Sequence, residues 1–284
     1  MNVPLLRKYS LAALVTTAAI SLSAPVVRAE TLHADGVYFG ASGGNNDGHP
    51  WALFTFEQTL GDSDIIAGDS FILGDIGAAG NGRINISGGS TIHGNAYYHT
   101  GGSYISSGGA SITGSKISNG STDSFLGQGV TDAMTAAAHA KGLELAPDAQ
   151  TPSAGLPSMD LVAGTNDRYI LTLSNFTLTN QNLILEGDAS SSFVFNITSS
   201  FQVSHSTIFL TGGLTANNVI FNYSGTAPVV LNSANMSGII LAADPLNYQT
   251  SSVQVTAGNL PAAEIIADKV TLTGGATIQG IVSP

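Results

Sequence analysis

The sequence predicts an all-β-dominated protein: a right-handed parallel β-solenoid with one long α-helix packed alongside. Three observations support this fold class. A unit of strand, Gly-Gly corner and strand recurs at an offset of 20 residues, and a further copy closes the chain. Within each unit apolar residues alternate with polar ones, as in strands that bury one side. A single alanine-rich segment has instead the period of an amphipathic helix.

The repeat is clearest in segments 84–94, 104–114 and 270–280, which read INISGGSTIHG, YISSGGASITG and VTLTGGATIQG. Glycine suits the corners because it adopts positive φ angles without a Cβ clash. At about 20 residues per coil, the strand-rich part of the chain would form roughly eight coils. Alternate aliphatic residues are expected to stack into an interior ladder: Ile84, Ile86, Ile92, Ile112, Val270, Leu272 and Ile278. Replacing Ile92, Ile112 or Ile278 by Asp should prevent folding, because each change buries an unpaired charge.

The helix is predicted over about 122–142, because apolar residues recur there at i, i+4 from Leu126 to Ala138. Its start is expected to be capped by Thr122, Asp123 or Ser124. Its alanine-rich side should lie close against a flat β face. A polar connector with prolines at 147, 152 and 157 follows over about 143–166, and strands resume at Tyr169.

The first 29 residues are interpreted as a secretory signal peptide, which leaves 30–284 as a single solenoid domain. Arg7 and Lys8 precede an apolar run from Leu11 to Leu22, and Val27-Arg28-Ala29 offers a cleavage site with small residues. We therefore expect a secreted, extracellular or cell-surface protein. No later apolar stretch has the length of a membrane span, so no membrane insertion is expected after cleavage.

Composition excludes several classes of function. Of 8 basic and 19 acidic residues, 3 bases and no acids precede residue 30, so residues 30–284 carry 5 bases and 19 acids, a net charge of −14. Such a charge disfavours binding to nucleic acid or anionic lipid. The chain has no cysteine, which excludes disulfides, a thiol nucleophile and a cysteine-ligated metal.

Outward hydroxyl groups carry the most chemical information. Equivalent side chains in stacked coils lie about 4.7–4.9 Å apart, so threonines at matching positions would form ranks that order water or match a repeating solid such as ice. The alternative is purely structural, since Thr and Ser suit exposed strand positions. The candidate surface residues are Thr91, Thr113, Thr177, Thr179, Thr271, Thr273 and Thr277.

Metal and catalytic sites have weaker support. Four acids, Asp62, Asp64, Asp69 and Asp75, offer oxygen ligands for calcium, but the nonapeptide pattern of calcium-binding β-rolls is absent from the sequence, and turn residues are the better interpretation. The histidines show no metal-ligand spacing beyond a weak His93/His99 pair. The glutamates at 57, 144, 186 and 264 are each isolated, so no carboxylate pair of a hydrolase is visible. We predict no metal, no cofactor and no catalytic residue.

Several motifs, taken together, resemble a known family. They are Gly74-Asp-Ile-Gly77, the alanine-rich helix at 122–141, Phe193-Val-Phe-Asn-Ile197, and the C-terminal order of 212–221, 238–242 and 270–280. This order resembles the microbial ice-binding proteins, which are built on an irregular β-solenoid with a helix alongside. The match covers about residues 60–284. It is divergent: Phe221 stands where the family usually has Trp, Ala78-Ala79-Gly80 replaces Ser-Pro-Gly, and residues 30–59 have no counterpart.

The resemblance implies a secreted, non-enzymatic protein that adsorbs to ice through a flat Thr/Ser-rich β face. The family has no short signature for that face, so the threonines above rest on strand alternation alone. The first alternative is an extracellular structural or adhesion module for polysaccharide or a cell-surface partner, which exposed Tyr97, Tyr98 and Tyr104 would favour. A carbohydrate-active enzyme is the minor alternative. The sequence leaves open the oligomeric state and which β face binds.

Overall fold

The structure is a computed structural model that describes residues 51–56, 64–145, 150, 156, 159–163, 168–243 and 251–281. These residues form 22 strands and one long helix. The strands before the helix are β1 (Trp51–Thr55), β2 (Asp64–Gly68), β3 (Phe71–Leu73), β4 (Asp75–Ala78), β5 (Arg83–Ser87), β6 (Thr91–His93), β7 (Ala96–Tyr98), β8 (Ser103–Ser106), β9 (Ser111–Ile112) and β10 (Lys116–Ile117). Helix α1 (Gly120–Gly142) follows.

The strands after the helix are β11 (Asp160–Val162), β12 (Arg168–Thr179), β13 (Asn182–Glu186), β14 (Ser192–Ser204), β15 (Thr207–Thr211), β16 (Val219–Tyr223), β17 (Val229–Asn232), β18 (Asn235–Ala242), β19 (Ser252–Thr256), β20 (Asn259–Ala267), β21 (Lys269–Thr273) and β22 (Thr277–Gln279). Short 3-10 turns lie at Leu143–Leu145 and Ala216–Asn218. None of the helices in this described part of the chain is long and apolar enough to cross a membrane.

The pairings between these strands are parallel, and the strands stack into three faces. The helix face contains, in stacking order, the first halves of β12 and β14, then β16, the second halves of β18 and β20, and β1, β4, β7 and β10. The long-strand face contains the second halves of β12 and β14, then β17, β19, β21, β2, β5 and β8. The short-strand face contains β11, β13, β15, the first residues of β18 and β20, then β22, β3, β6 and β9. The predicted parallel β-solenoid is confirmed.

The stacking order of the coils is not their order in the chain. Strands β1, β2 and β3 lie directly on β20, β21 and β22, so the last coil of the chain is followed in the stack by the first. Across this contact, which we call the seam, Ile72 pairs with Ile278 and Ile65 pairs with Val270. The N-terminal coils therefore complete a stack that the C-terminal coils begin.

The long helix connects the two ends of the stack, which this order makes consecutive in the chain. It starts beyond β10 at one end of the stack, and the chain re-enters the sheet at β11 and β12 at the other end. Its 23 residues span about 34 Å at 1.5 Å per residue. Nine strands on the helix face, separated by about 4.8 Å, cover roughly 38 Å. The helix thus has the length needed to return the chain along the whole face.

The helix cap differs from the prediction. Asn119 caps the helix, because its side-chain oxygen accepts a hydrogen bond from the Thr122 N–H at 2.9 Å. The expected cap at Thr122, Asp123 or Ser124 is wrong, since the helix already begins at Gly120. Asp123 instead accepts hydrogen bonds from the Thr100 backbone N–H at 2.8 Å and the Thr100 hydroxyl at 2.7 Å. These bonds fix the start of the helix to the coil beneath it.

The alanine side of the helix lies against the helix face, as predicted. Buried Ala133, Ala136, Ala137 and Ala140 allow the helix backbone to approach the sheet closely. Two strand asparagines reach its carbonyl groups: Asn196 Nδ2 donates to Ala140 O at 2.8 Å and Asn222 Nδ2 donates to Ala137 O at 3.4 Å. These two hydrogen bonds therefore fix the position of the helix along the sheet, where the rest of the contact is apolar.

The interior ladder follows the predicted alternation. Six of the seven predicted interior residues have no exposed surface: Ile84, Ile86, Ile92, Val270, Leu272 and Ile278. The seventh, Ile112, is only half-buried, because it lies in β9, the outermost strand of its face. We therefore expect Ile112→Asp to disrupt folding less severely than the other two changes.

Corners between the long-strand and short-strand faces require a left-handed backbone. Glycine supplies it at Gly88, Gly108 and Gly274, with φ of 62°, 63° and 65°. Five other coils use a non-glycine residue with φ between 48° and 52°: Asp69, Asn180, His205, Ser233 and Ala257. The Gly-Gly signal in the sequence therefore marks only some of the corners.

The connector contains more structure than the sequence indicated. Leu143–Leu145 forms a 3-10 turn, Gln150 makes a parallel bridge to Leu171, and β11 pairs with β13 within the range expected to be irregular. The prolines at 147, 152 and 157, and the proposed signal peptide, lie outside the described residues.

Trp51 explains the aromatic stretch for which the resemblance offered no counterpart. It opens β1 and is buried between sheet and helix, with its ring centroid 5.6 Å from that of Phe125 and 5.4 Å from that of Tyr97. Gly77 lies beneath this ring, and a Cβ atom there would overlap Trp51 and Phe54. The second glycine of the Gly74-Asp-Ile-Gly77 motif is thus a packing requirement.

Gly77→Ala should lower the free energy of unfolding by about 1–3 kcal/mol, because the added methyl group forces a buried ring to move. Gly127→Ala is the matched control. Gly127 is exposed within the helix and its added Cβ would meet no atom within 4 Å, so this change should stabilise by about 0.5–1 kcal/mol. Urea titration of both variants measures the difference, and equal stabilities would contradict the packing of Trp51 on Gly77.

Glu264 is a buried carboxyl group on the helix face. It is 2% exposed, and no described residue donates a hydrogen bond to its Oε2. Desolvation by burial raises the pKa of this carboxyl well above its ordinary 4.5. Below pH 4.5 both folded and unfolded chains hold the proton, whereas at higher pH only the folded chain does. Stability therefore decreases as pH rises above 4.5 towards the folded-state pKa.

Glu264→Gln should remove this pH dependence. The variant is expected to melt at a higher temperature than the unmodified protein at pH 7–8, with the difference shrinking as pH falls to about 4.5. Thermal unfolding across this range measures it. A difference that is constant with pH would show that Glu264 does not titrate between the folded and unfolded states as described.

Candidate functional site

Two of the three faces have their outward side chains available to solvent. The helix covers the third, where Ile220, Ile239 and Ile266 are buried beneath it or beneath its neighbours. The seven candidate threonines lie on the two open faces. Thr177, Thr179, Thr271 and Thr273 project from the long-strand face, and Thr91, Thr113 and Thr277 from the short-strand face. The structure therefore does not unite them in one surface.

Two outward rows run along the long-strand face, and none of their members is buried. The first row contains, in stacking order, Thr177, Gln202, Val230, Gln254, Thr271, Ile66, Asn85 and Ile105. The second contains Thr179, Ser204, Asn232, Thr256, Thr273, Gly68, Ser87 and Ser107. Neither row contains an ionisable side chain, so the surface offers hydroxyl, amide and aliphatic groups only.

The long-strand face is also regular. Its eight strands pair in continuous register, and the shift between β12 and β14 falls at Leu173/Asn175, before the face begins. Neighbouring side chains repeat at about 4.8 Å between strands and about 6.6 Å along a strand. Within the second row Thr256 Oγ1 and Thr273 Oγ1 are 3.2 Å apart, a direct hydrogen bond. The sheet thus fixes the spacing of these side chains, and one pair of them is also joined by a direct hydrogen bond.

Charges near this face are paired at its edge. Asp64 is 1% exposed and accepts a hydrogen bond from Arg83 at 2.6 Å, while Lys269 Nζ lies 3.9 Å from the same carboxylate oxygen. These residues begin β2, β5 and β21, next to the corner with the helix face. The three charged groups therefore interact with one another at the edge of the face and lie outside the two rows.

The short-strand face is less regular. The pairing of β18 with β20 shifts between Asn235 and Ser237, and Pro261 follows in β20. Phe71 and Phe209 are 40% and 45% exposed, and Phe71 stands directly between Thr277 and Thr91 in the register. The threonines of this face therefore form no continuous rank.

The acids and histidines considered as metal ligands in the sequence make contacts within the fold instead. Asp69 occupies a corner and accepts a hydrogen bond from the Gly89 N–H at 2.8 Å, and Asp75 accepts one from the Asn95 N–H at 2.6 Å. Asp62 lies outside the described residues. The His93 ring lies 5.2 Å from the Phe71 ring at an interplanar angle of 47°, whereas His99 Nε2 lies 3.6 Å from Asp123 Oδ2. Among the described residues, no group of three or more His, Asp and Glu is arranged to hold a metal ion.

The tyrosines expected to be exposed are not. Tyr97 is 5% exposed and packs beneath the helix, and Tyr98 and Tyr104 are half-buried against each other with ring centroids 6.3 Å apart. Partial burial raises the pKa of the Tyr104 hydroxyl. The expected exposure of these tyrosines is wrong, because the strand alternation turns Tyr98 and Tyr104 inward, and the support that it gave to a sugar-binding surface is lost.

Sequence reasoning missed most of the long-strand rows. Ser204, Asn232 and Thr256 lie between the predicted threonines, but their coils turn on His205, Ser233 and Ala257 rather than on glycine. A sequence signal for these coils does exist: each of their strands alternates in the same way and ends in a residue with a hydroxyl or amide side chain. These coils lack the Gly-Gly pair that marks the clearest copies of the repeat.

A cavity of about 320 Å³ lies at another corner of the stack. It is lined by Thr215, Ala216, Asn217, Pro261, Ala262, Gln279, Gly280 and Ile281. These residues bring no carboxylate, imidazole or amine to the cavity, so they offer no acid or base for chemistry.

Comparison with protein families identifies the fold. The model of the family described as "Ice-binding-like" matches residues 60–281. The chain belongs to this family. The resemblance seen in the sequence is confirmed, including its extent. No curated protein sequence matches the chain significantly.

Solved structures share the architecture at low sequence identity. An ice-binding protein from the Antarctic ascomycete Antarctomyces psychrotrophicus is 23% identical, with a TM-score of 0.54 over 83% of this chain and 96% of the other. A glycosylated ice-binding protein from an Arctic yeast is 19% identical, with a TM-score of 0.53 over 88% and 96%. An ice-binding protein from an Antarctic biological consortium is 18% identical, with a TM-score of 0.52 over 85% and 90%. These similarities show the common fold of the ice-binding-like family.

Proposed function

We propose that this protein is exported, is not an enzyme, and adsorbs to ice through the long-strand face. The single observation that carries the proposal is the pair of uncharged rows that run in register across eight strands. Membership of the ice-binding-like family and the described ligand of its structural neighbours support the same function.

The physical argument rests on preorganisation. A crystal surface has a fixed repeat, so a protein binds it through many weak contacts only if its groups are already held at regular spacing. The sheet supplies this spacing, and the short Thr and Ser side chains have few rotamers to lose. The aliphatic Val230, Ile66 and Ile105 and the threonine methyl groups add apolar surface, while hydroxyl groups between them bind water.

Catalysis has no comparable support. Glu144 lies in the turn after the helix, Glu186 on the short-strand face, and Glu264 on the helix face. These glutamates lie on three different elements, and Glu57 lies outside the described residues. The proposed non-enzymatic role therefore rests on a regular surface rather than on a cleft.

Ice-crystal shaping and thermal hysteresis test the function directly. Purified Glu30–Pro284 should facet growing ice crystals and open a gap between melting and freezing temperatures, whereas serum albumin at the same concentration should do neither. Round crystals and no gap at high protein concentration would exclude ice adsorption. In that case the regular surface would have to serve another extended ligand.

A further inference from the structure

Phe71 interrupts a polar row on the short-strand face. In stacking order, the outward residues that begin the strands of this row are Asn182, Thr207, Asn235, Asn259, Thr277, Phe71, Thr91 and Ser111. Every member except Phe71 is Asn, Thr or Ser, although all occupy equivalent positions on the sheet. Phe71 is 40% exposed, so burial does not explain an aromatic ring at this position.

Two further side chains extend this ring into a small apolar surface. Leu73 is the next outward residue of β3; it is 36% exposed and pairs with His93 of the following coil. The rings of Phe71 and His93 have centroids 5.2 Å apart. We call Phe71, Leu73 and His93 the shelf. Exposed apolar side chains that lie together and are rimmed by polar residues indicate a contact surface.

The shelf adjoins the cavity at the corner between the short-strand face and the helix face. Gln279 lines this cavity and pairs in register with Leu73. The Gly280 N–H donates to Leu73 O at 2.7 Å, which joins the cavity wall to the shelf. Phe71 is the diagonal neighbour of Gln279, at about 8 Å for the ordinary spacings of a sheet. The cavity and the shelf therefore form one continuous surface.

The opposite wall of the cavity is a turn that the fold holds in place. Thr215 and Asn217 line the cavity from the 3-10 turn before β16. Asn218 in this turn is 2% exposed, and its Nδ2 donates to Ala189 O at 2.9 Å and to Ser191 O at 2.8 Å. Its Oδ1 accepts a hydrogen bond from the Thr215 hydroxyl at 3.3 Å. The wall is therefore preorganised, which reduces the free energy that a ligand would spend on ordering it.

The chemistry of the cavity is polar but uncharged. Asn217 and Gln279 carry amide groups with both donors and acceptors, Thr215 carries a hydroxyl group, and Pro261 adds an apolar ring. No charged side chain is among the described residues that line the cavity, so nothing there compensates the charge of a uronate, a phosphate or a sulfate. Its volume of about 320 Å³ is within the range of small-molecule sites.

We propose that the cavity and the shelf bind a neutral carbohydrate chain, with one sugar in the cavity and the next sugars over the shelf. A pyranose carries hydroxyl groups around its edge and apolar C–H groups on its faces. The edge matches the amides of Asn217 and Gln279, and the C–H groups match the Phe71 ring, whose face carries negative potential. From Pro261 to His93 the coils span three strand spacings, about 14 Å, which accommodates more than one sugar.

Other occupants match this surface less well. A purely apolar ligand would bury the cavity amides without hydrogen-bond partners. An extended peptide would add to an unpaired strand edge, but β3 is paired with β22 on one side and with β6 on the other. The site lies on a different face from the two ice-binding rows, so it does not depend on ice adsorption.

Nuclear magnetic resonance titration with neutral hexasaccharides tests the proposal. Cellohexaose, laminarihexaose, maltohexaose and mannohexaose are each added to the isotope-labelled protein, with hexagalacturonate as the charged comparison. At least one neutral chain should shift the side-chain amide signals of Gln279 and Asn217, and hexagalacturonate should not. The proposal is overturned if no neutral chain shifts these signals at millimolar concentration, or if hexagalacturonate shifts them equally.

Phe71→Asn is the variant that tests the shelf. It restores the residue type of its row and leaves the cavity lining unchanged, and it should weaken binding of the hexasaccharide by about tenfold. Phe209→Asn is the matched control, because Phe209 is 45% exposed on the same face but lies two coils from Pro261, on the side away from the shelf. Equal binding by the two variants would overturn the proposed role of the shelf.

Ice assays on the same variants separate this proposal from the proposed function. Thermal unfolding should show that Phe71→Asn is folded, and its thermal hysteresis should equal that of the unmodified protein, because the long-strand face is unchanged. Ice activity without carbohydrate binding would overturn the carbohydrate site alone. Carbohydrate binding without ice activity would overturn ice adsorption alone.

Discussion

Thr271→Tyr should abolish most of the thermal hysteresis while leaving the fold intact. Thr271 lies in the middle of the first outward row, between Gln254 and Ile66, and its side chain is already half-exposed. A tyrosine ring there would project beyond the neighbouring side chains and hold the flat surface away from the crystal. Because adsorption depends on many contacts at once, a spacer affects all of them, whereas Thr271→Ser should have a mild effect.

Thr277→Tyr is the matched control for this experiment. Thr277 belongs to the same coil as Thr271, is exposed to a similar degree and is replaced by the same residue, but it projects from the short-strand face. Its ice activity should stay close to that of the unmodified protein, and thermal unfolding should confirm that both variants are folded. Thr273→Tyr should behave like Thr271→Tyr. Loss of activity in Thr277→Tyr alone would assign ice binding to the short-strand face.

Ile278→Asp should prevent the protein from accumulating in soluble form. Ile278 has no exposed surface and lies in the seam, between Leu260 and Ile72. The change removes about 2–3 kcal/mol of apolar burial and places a carboxylate in the core without a partner, which costs several kcal/mol more. The sum is comparable to the whole 5–15 kcal/mol stability of a typical domain. Soluble yield and circular dichroism measure the outcome.

Ile112→Asp provides the comparison in β9, the outermost strand of its face. Ile112 occupies the same ladder, two coils beyond Ile72, but is half-buried, so its carboxylate can reach water. We expect a soluble, folded protein destabilised by about 1–2 kcal/mol in urea titration. Equal loss of folding in the two variants would contradict the difference in burial between the seam and the end. Normal stability of Ile278→Asp would contradict the stacking order itself.

Much of the fold is local and was therefore predictable. Alternation placed Ile84 and Val270 inward, the Gly-Gly pairs marked corners such as Gly88, and the alanine-rich period located the helix to within about two residues. Errors arose where a residue's surroundings depend on another coil. Tyr97 reads as an exposed strand residue, but Trp51 and Phe125 bury it from elements 46 and 28 residues away.

The coil, the helix and the inward direction of the core side chains follow from the sequence, because each depends on residues a few positions apart. The order of the stack, in which the last coil lies beneath the first, depends instead on pairings between strands far apart in the chain. The same pairings place Thr271 and Thr277, six residues apart, on different faces, while Thr271 and Thr177 share a row. Strand alternation separates inside from outside, but only hydrogen bonds between distant strands determine which outward residues become neighbours.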